Sequence, residues 1–266
     1  MMAKQEDFTV SVIIPCYNQA LWIEETIRSV LASTYLPIEI MIVDDGSTDE
    51  SVQVVEQLAK QHPLIKIYQQ PNSGPSVARN HAISKASGTF ILPLDGDDLI
   101  SPDYIARAVI TFKQDPTVKV VYCQAEKFGA KTGKWNLKPF SLENLAKDNM
   151  IFVSALYRKS DWQACGGYPE DLRWVSEDWV FWIAMLKNGG KVVQLPITGF
   201  YYRISPNSRR KGMDKHKKQR LIDYINTHHA DFVYRYLAGP LRFQRRQSKR
   251  YNKLLRFFGL LKDRRK

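Results

Sequence analysis

Apolar and polar positions alternate in blocks along the first half of the chain. Thr9 to Ile14 is a short run of strand character, and the next stretch, from about Gln19 to Ala32, has helical spacing. Ile38 to Val43 returns as a strand. Apolar Val52, Val55, Leu58 and Ala59 then recur at helical intervals after Asp49. Leu64 to Tyr68 predicts a third strand, Pro75 to Ala86 a helix with proline in its first turn, and Thr89 to Leu94 a fourth strand. Pro102 opens a further helix. Val118 to Phe128 reads as a strand, and Trp135 to Asn149 as loop with a short helix. Cys165-Gly166-Gly167-Tyr168-Pro169 is a turn. Ser176 with the carboxylates of Glu177 and Asp178 predicts a capped helix start, and Gly189-Gly190 ends that helix.

Strands alternating with helices imply an open, mostly parallel sheet with helices on both faces. Ligands of such sheets lie beyond the carboxyl ends of the strands. The unusual residues collect there: Pro15-Cys16-Tyr17-Asn18 after the first strand, Asp44-Asp45-Gly46-Ser47-Thr48-Asp49 after the second, Asn72-Ser73-Gly74 after the third, and Asp95-Gly96-Asp97-Asp98 after the fourth. Any one of these is explained by turn chemistry alone. Four together are not. Carboxylates separated by a glycine can approach a hard cation that bridges to a phosphorylated substrate. There is no Gly-x-Gly-x-x-Gly after the first strand and no Gly-x-x-x-x-Gly-Lys, which removes the ordinary dinucleotide and P-loop readings.

Charge divides the chain in two. Residues 1–202 hold 19 Lys/Arg against 23 Asp/Glu, for −4, whereas residues 203–266 hold 20 against 4, for +16. A mildly acidic body therefore carries a strongly basic tail, the pattern of a protein with an anionic partner. Cys16, Cys123 and Cys165 are far apart and form neither a disulfide framework nor zinc spacing, which points to a reducing, cytoplasmic setting. Met1 to Asp7 lack the apolar core of a signal peptide, and no apolar stretch approaches the length that spans a bilayer.

Pro15-x-Tyr17-Asn18, Val43-Asp44-Asp45-Gly46-Ser47-Thr48-Asp49, Gly74-Pro75-Ser76-x-Ala78-Arg79-Asn80, Asp95-x-Asp97-Asp98, Gly166-Gly167-Tyr168 and Glu177-Asp178 occur in that order. Together they resemble a family 2 glycosyltransferase of the GT-A fold, from about Val10 to about Ser208. The resemblance implies an inverting, metal-dependent enzyme of hexosyltransferase type that moves a sugar from a nucleotide diphosphate, usually a UDP-sugar, to an acceptor hydroxyl. It implies a catalytic domain over 1–208, and the residues themselves assign 209–266 to a basic flexible loop and an amphipathic helical tail.

Carried across by position, the resemblance implies that Pro15, Tyr17 and one of Asp44 and Asp45 hold the nucleobase. Asp45 is preferred, because a carboxylate accepts from the uracil imide while a tyrosine ring stacks on the base. The plainer reading of Asp44 and Asp45 is a helix N-cap region, with Ser47 or Asp49 capping the next helix. Asn72 is expected near base or ribose, Asp95 at the ribose, and Arg79 near the nucleotide or as buried partner of the aspartates. Asp97 is expected to coordinate Mn²⁺ or Mg²⁺, which neutralises the leaving diphosphate, while Asp98 orients its neighbours. Asp178 is the expected general base, and Glu177 and Trp179 the expected acceptor contacts; for the Glu-Asp pair, simple helix-dipole electrostatics is the alternative. Trp182 is assigned to the core. Arg203, Asn207-Ser208 and Arg209-Arg210-Lys211 stand where the family has a flexible loop over the diphosphate. His216 is a possible third metal ligand, although a solvated histidine among lysines is the commoner case.

Beyond these motifs only periodicity speaks. On one continuous helix, Phe243, Tyr251, Leu254, Leu255, Phe257, Phe258 and Leu261 fall on one arc, with Arg242, Arg245, Lys249, Lys253 and Arg256 opposite. Such a helix, from Leu241 to Lys266, suits peripheral anchoring on anionic lipid at the inner membrane face, or docking on its own domain or a second subunit. Nucleic acid is not an expected partner, because the acidic body repels a phosphate backbone. The expected function is synthesis of a surface polysaccharide or glycolipid on a saccharide or lipid-linked acceptor. The alternatives are a silent scaffold subunit, which would be expected to lack a key carboxylate, and a nucleotidyltransferase, which would carry a Gly-rich basic loop in place of Pro15-Cys16-Tyr17-Asn18.

Overall fold

Apolar runs buried on both faces build β1 (Val10–Cys16), β2 (Ile38–Asp44) and β4 (Phe90–Pro93), and the partly exposed β3 (Ile65–Gln69) joins them. A computed structural model describes residues 8–173, 176–205 and 214–261. In it these four strands lie parallel in the order β3-β2-β1-β4. They are linked by α1 (Ile23–Leu31), α2 (Ser51–Gln61) and α3 (Pro75–Lys85). The path steps from β1 out to β3 through α1 and α2, then back across to β4 through α3. Right-handed crossovers therefore put α3 on the face opposite α1 and α2.

The second half departs from the parallel expectation. After β5 (Leu99–Ile100) and α4 (Tyr104–Gln114) come the long β6 (Val118–Gly129) and short β7 (Gly133–Trp135). Then follow α5 (Leu142–Leu145), β8 (Leu156–Arg158), α6 (Lys159–Cys165), α7 (Glu177–Leu186) and β9 (Lys191–Ile204). β8 is antiparallel to both β4 and β6, β9 runs parallel to β6, and β5 pairs antiparallel with β9. The sheet thus continues β4-β8-β6-β9-β5 as a mixed half joined to a parallel half.

Register levels the ends of the parallel half. Cys16 lies opposite Asp44, Asp44 opposite Gln69, and Ile13 opposite Pro93. Backbone bonds carry the pairing past the strands: the Asp45 amide donates to the Cys16 carbonyl at 2.7 Å, and that of Leu94 to the Ile13 carbonyl at 2.9 Å. The polar clusters read from the sequence are therefore delivered to one edge.

The basic tail differs from its expected form. α8 (Lys215–His228) and α9 (Ala230–Leu237) bury Leu221, Ile222, Ile225, Phe232, Val233 and Leu237, and these join the same core cluster as β1 and β2. The core therefore extends beyond residue 208. No continuous helix runs from Leu241: a 3-10 turn at Arg245–Gln247 leads into a shorter α10 (Ser248–Phe257). Gly239, at φ 156°, and Pro240 break the chain ahead of it. The expected loop residues Asn207 to Lys211 lie outside the described residues.

Candidate active site

The first two loops at the carboxyl edge are stitched together by side chains. Asn18, in a left-handed conformation at φ 53°, accepts from the Thr48 amide at 2.8 Å, while its own amide donates to Ser47 Oγ at 2.9 Å. The Ala20 amide donates to Asp49, which also accepts from Ser51 at the start of α2. Neither expected cap, Ser47 or Asp49, is the N-cap of α2: that position is Glu50, and Asp49 accepts from the Ser51 amide and hydroxyl. The ring of Tyr17 is left 40% exposed above this junction.

Asp45 is buried and organises the third loop. Its Oδ1 accepts from the Gln70 side chain and the Ser73 amide, and Oδ2 accepts from the Gly74 amide, all at 2.8 Å. Asn72, on the same loop, is exposed. Gly46 is required here: at φ 77° a Cβ would meet the Asn72 amide nitrogen at 3.0 Å. Asp44 is also buried; its Oδ2 accepts from the Ser47 amide, and its Oδ1 has no hydrogen-bond partner among the described residues.

Helix α3 is the hub. Arg79 is 2% exposed, sends Nη2 to Asp95 at 2.6 Å and Nη1 to Glu177 at 2.8 Å, and lies 5.4 Å from the Tyr168 ring centroid. Of its two expected placements, it takes the buried partnership with carboxylates. Those charges hold its guanidinium protonated despite its burial. The next residue, Asn80, donates to the Tyr168 carbonyl and accepts from the Tyr168 amide, both at 2.9 Å. Gly167, at φ 78°, lets the chain pass: a Cβ would stand 2.9 Å from Asn80 Oδ1. The Ala78-Arg79-Asn80 and Gly166-Gly167-Tyr168 motifs are thus two sides of one contact.

Asp95 and Asp97 are half-buried, and Asp98 is buried beneath them. Asp98 Oδ1 accepts the Arg203 amide at 2.8 Å, while Oδ2 has no partner among the described residues. Burial, then the charges of Asp97 and Asp95, push its carboxyl well above the ordinary range. Arg203 belongs to β9 and not to a loop over the diphosphate. It is 8% exposed, donates to the Asp97 carbonyl at 2.8 Å, pairs with Glu25, and is sandwiched between Trp22 and Phe128 at 4.2 and 4.3 Å. A cluster of carboxylates with a buried orphan oxygen has the hard-donor character of a Mg²⁺ or Mn²⁺ site. Among the described residues no group of three His, Cys, Asp or Glu side chains could hold a metal ion, so a cation at Asp97 depends on oxygens from elsewhere.

Asp178 sits in the first turn of α7, where Asn149 Nδ2 donates to its Oδ2 at 2.8 Å and the Trp179 amide to its Oδ1. Burial first, then the neighbouring charge of Glu177, pushes its carboxyl up to about 7, with Arg79 acting in the opposite sense. That is the range suited to a general base near neutral pH. Sequence gave no signal for Asn149, which lies in an irregular loop far from any motif.

Two expectations at α7 fail. Ser176 does not cap α7; it adopts φ 40° and its side chain accepts nothing from the helix. Trp179 is not open to an acceptor: it is fully buried, its Nε1 donates to the Leu145 carbonyl at 2.7 Å, and Arg245 lies 5.0 Å from its ring centroid. His216 is exposed on the first turn of α8, and among the described residues it belongs to no group of three His, Cys, Asp or Glu side chains that could hold a metal ion.

Residues 11–170 match the family profile described as Glycosyl transferase family 2. The chain is similar to an uncharacterized glycosyltransferase of Bacillus subtilis (strain 168), 31% identical over 232 residues, covering 79% of this chain and 67% of that one. It is also 30% identical to the chondroitin synthase of Pasteurella multocida (strain Pm70) over 167 residues, which cover 61% of this chain and 17% of the synthase. Among solved structures, S. aureus TarS in complex with UDP-GlcNAc aligns with a TM-score of 0.70 at 21% identity, over 86% of this chain and 71% of that one. A mannosyltransferase from Pyrobaculum calidifontis, in complex with GDP-Man and Mn²⁺, aligns at 0.66 and 22% identity, over 96% and 73%. These two likenesses concern the GT-A fold.

Proposed function

As the chain belongs to glycosyl transferase family 2, we propose that it moves a sugar from a UDP-sugar to an acceptor hydroxyl, with inversion at the sugar carbon. The observation that carries this reading is the convergence on Arg79. One buried guanidinium ties Asp95, at the end of the donor half, to Glu177, whose neighbour Asp178 is the raised carboxyl.

In this reading the base lies against Tyr17 and Pro15. Asp45 already accepts from three donors, which leaves its Oδ2 one further acceptor position for the uracil imide. The same carboxylate fixes the loop that brings Asn72 to the nucleotide, and Asp44 braces the loop alongside. Asp95 faces the ribose while Arg79 holds it in place.

Asp97, kept in position by Arg203 through its carbonyl, is the residue that would hold Mn²⁺ or Mg²⁺. Held there, such an ion would neutralise charge on the departing diphosphate. Asp178 takes the proton from the attacking hydroxyl at its carboxylate, oriented by Asn149. Glu177, already bound to Arg79, borders the acceptor side. The acceptor is a saccharide or a lipid-linked saccharide of surface polysaccharide or glycolipid synthesis, and the catalytic unit continues past residue 208 into α8 and α9, whose apolar faces share its core.

The test is a panel of UDP-, GDP- and TDP-sugars with Mn²⁺, read by nucleoside diphosphate release and by thermal stabilisation. A UDP-sugar that stabilises the protein and is hydrolysed or transferred supports the reading. Silence across the panel in both readouts overturns it.

A further inference from the structure

Helix α10 is docked inside out. An amphipathic helix on a globular body ordinarily buries its apolar stripe. Here the polar arc faces inward. Ser248 and Asn252 are fully buried: Ser248 Oγ accepts the Arg242 amide, and the Asn252 side chain donates to the Leu237 and Pro240 carbonyls and accepts from Arg242 Nε. Lys249 donates to Glu143 at 2.6 Å, and Arg245 pairs with Asp148 at 2.9 Å. The body's acids thus hold the helix by its basic side.

The opposite arc is left outward. Tyr251 and Leu254 are about half exposed, Phe257 is 83% and Phe258 61% exposed, and Leu260 continues the patch at 73%. Arg250 stands exposed on the same arc and Lys253 exposed at its border with the basic arc, while Arg246, 4.0 Å from Asp148, is 74% exposed. Segment 241–266 carries eleven Lys/Arg and one Asp in its sequence.

We propose that this face is a docking surface for an anionic lipid bilayer. Aromatic and aliphatic side chains ringed by arginine and lysine are what an interfacial helix presents to headgroups and the upper acyl region. The choice between lipid and a second copy of the chain rests on charge. In a two-fold contact each cationic rim meets its own like, whereas an anionic surface attracts every one of these cations. The proposal does not depend on the sugar-transfer reading, since it concerns partition of the intact chain and not turnover.

The experiment is sedimentation of the full-length chain with vesicles of phosphatidylcholine alone or mixed with phosphatidylglycerol. Two double variants accompany the wild type, Phe257→Ser with Phe258→Ser and Arg250→Glu with Lys253→Glu, all at exposed positions whose replacement leaves the core intact. The expected result is binding to the anionic vesicles that weakens with added salt and falls at least about ten-fold in each double variant. Wild-type protein that stays in the supernatant with anionic vesicles overturns the proposal. So do double variants that bind like the wild type. A concentration-dependent dimer abolished by the phenylalanine pair, without vesicle binding, assigns the face to a second copy instead.

Discussion

Arg79 and Glu177, 98 positions apart in the chain, meet at 2.8 Å. The contact joins the parallel half of the sheet to helix α7, and because Arg79 also holds Asp95, a single side chain sets the spacing between the two halves of the site. Replacing it with methionine strands two largely buried carboxylates, and the expected loss is about 3 kcal/mol of unfolding free energy in urea. Arg79→Lys recovers only part of that, because an ammonium cannot hold both partners in a planar fork. Full stability of Arg79→Met would show that the pairing is dispensable to the fold.

The pH dependence of stability follows from Asp178. Its carboxyl is raised from 3.8 to about 7 in the folded chain, chiefly by burial. A raised folded value means that the contribution is complete below about pH 4 and is lost as pH rises toward 7. Asp178→Asn removes this titration, so the variant gains stability over the wild type as pH goes from 5 to 8. Urea midpoints that differ by the same amount at both pH values would argue against a buried, raised carboxyl.

Asn149 donates to Asp178 and so favours its ionised form. Asn149→Ala is expected to move the acidic limb of kcat upward in pH and to lower kcat at neutral pH, with KM for the donor little changed. A role confined to folding would lower expression or midpoint without moving the limb.

Much of this arrangement was legible before the structure. The strand ends could be placed because Val and Ile runs stop at Asp, Gly and Asn, and the register then levels Cys16, Asp44 and Gln69. What periodicity cannot carry is which side of a residue faces what. Trp179 follows a site carboxylate yet points into the core, bonded to Leu145. Ser176 has cap chemistry but a left-handed backbone. The tail pattern showed an amphipathic helix, but the body's acids at Glu143 and Asp148 decided which arc turned inward. Arg203 stands after the strand-like Phe200-Tyr201-Tyr202, where the family has a flexible loop, yet pairing of β9 with β6 extends through it.

Asp97 is expected to matter for the cation and not for the fold, since its side chain is half-buried at a turn. Asp97→Asn keeps the shape and removes the charge. Calorimetric titration with Mn²⁺ in the presence of UDP, which needs no turnover, is expected to show affinity reduced at least about ten-fold. Unchanged affinity would place the ion elsewhere.

The most direct test of the account compares Asp178→Asn with the wild type for nucleoside diphosphate release under saturating donor and acceptor, alongside donor binding. The account expects normal donor binding with kcat lowered about 10²-fold or more. Near-normal turnover by the variant would contradict it and move the base to another group.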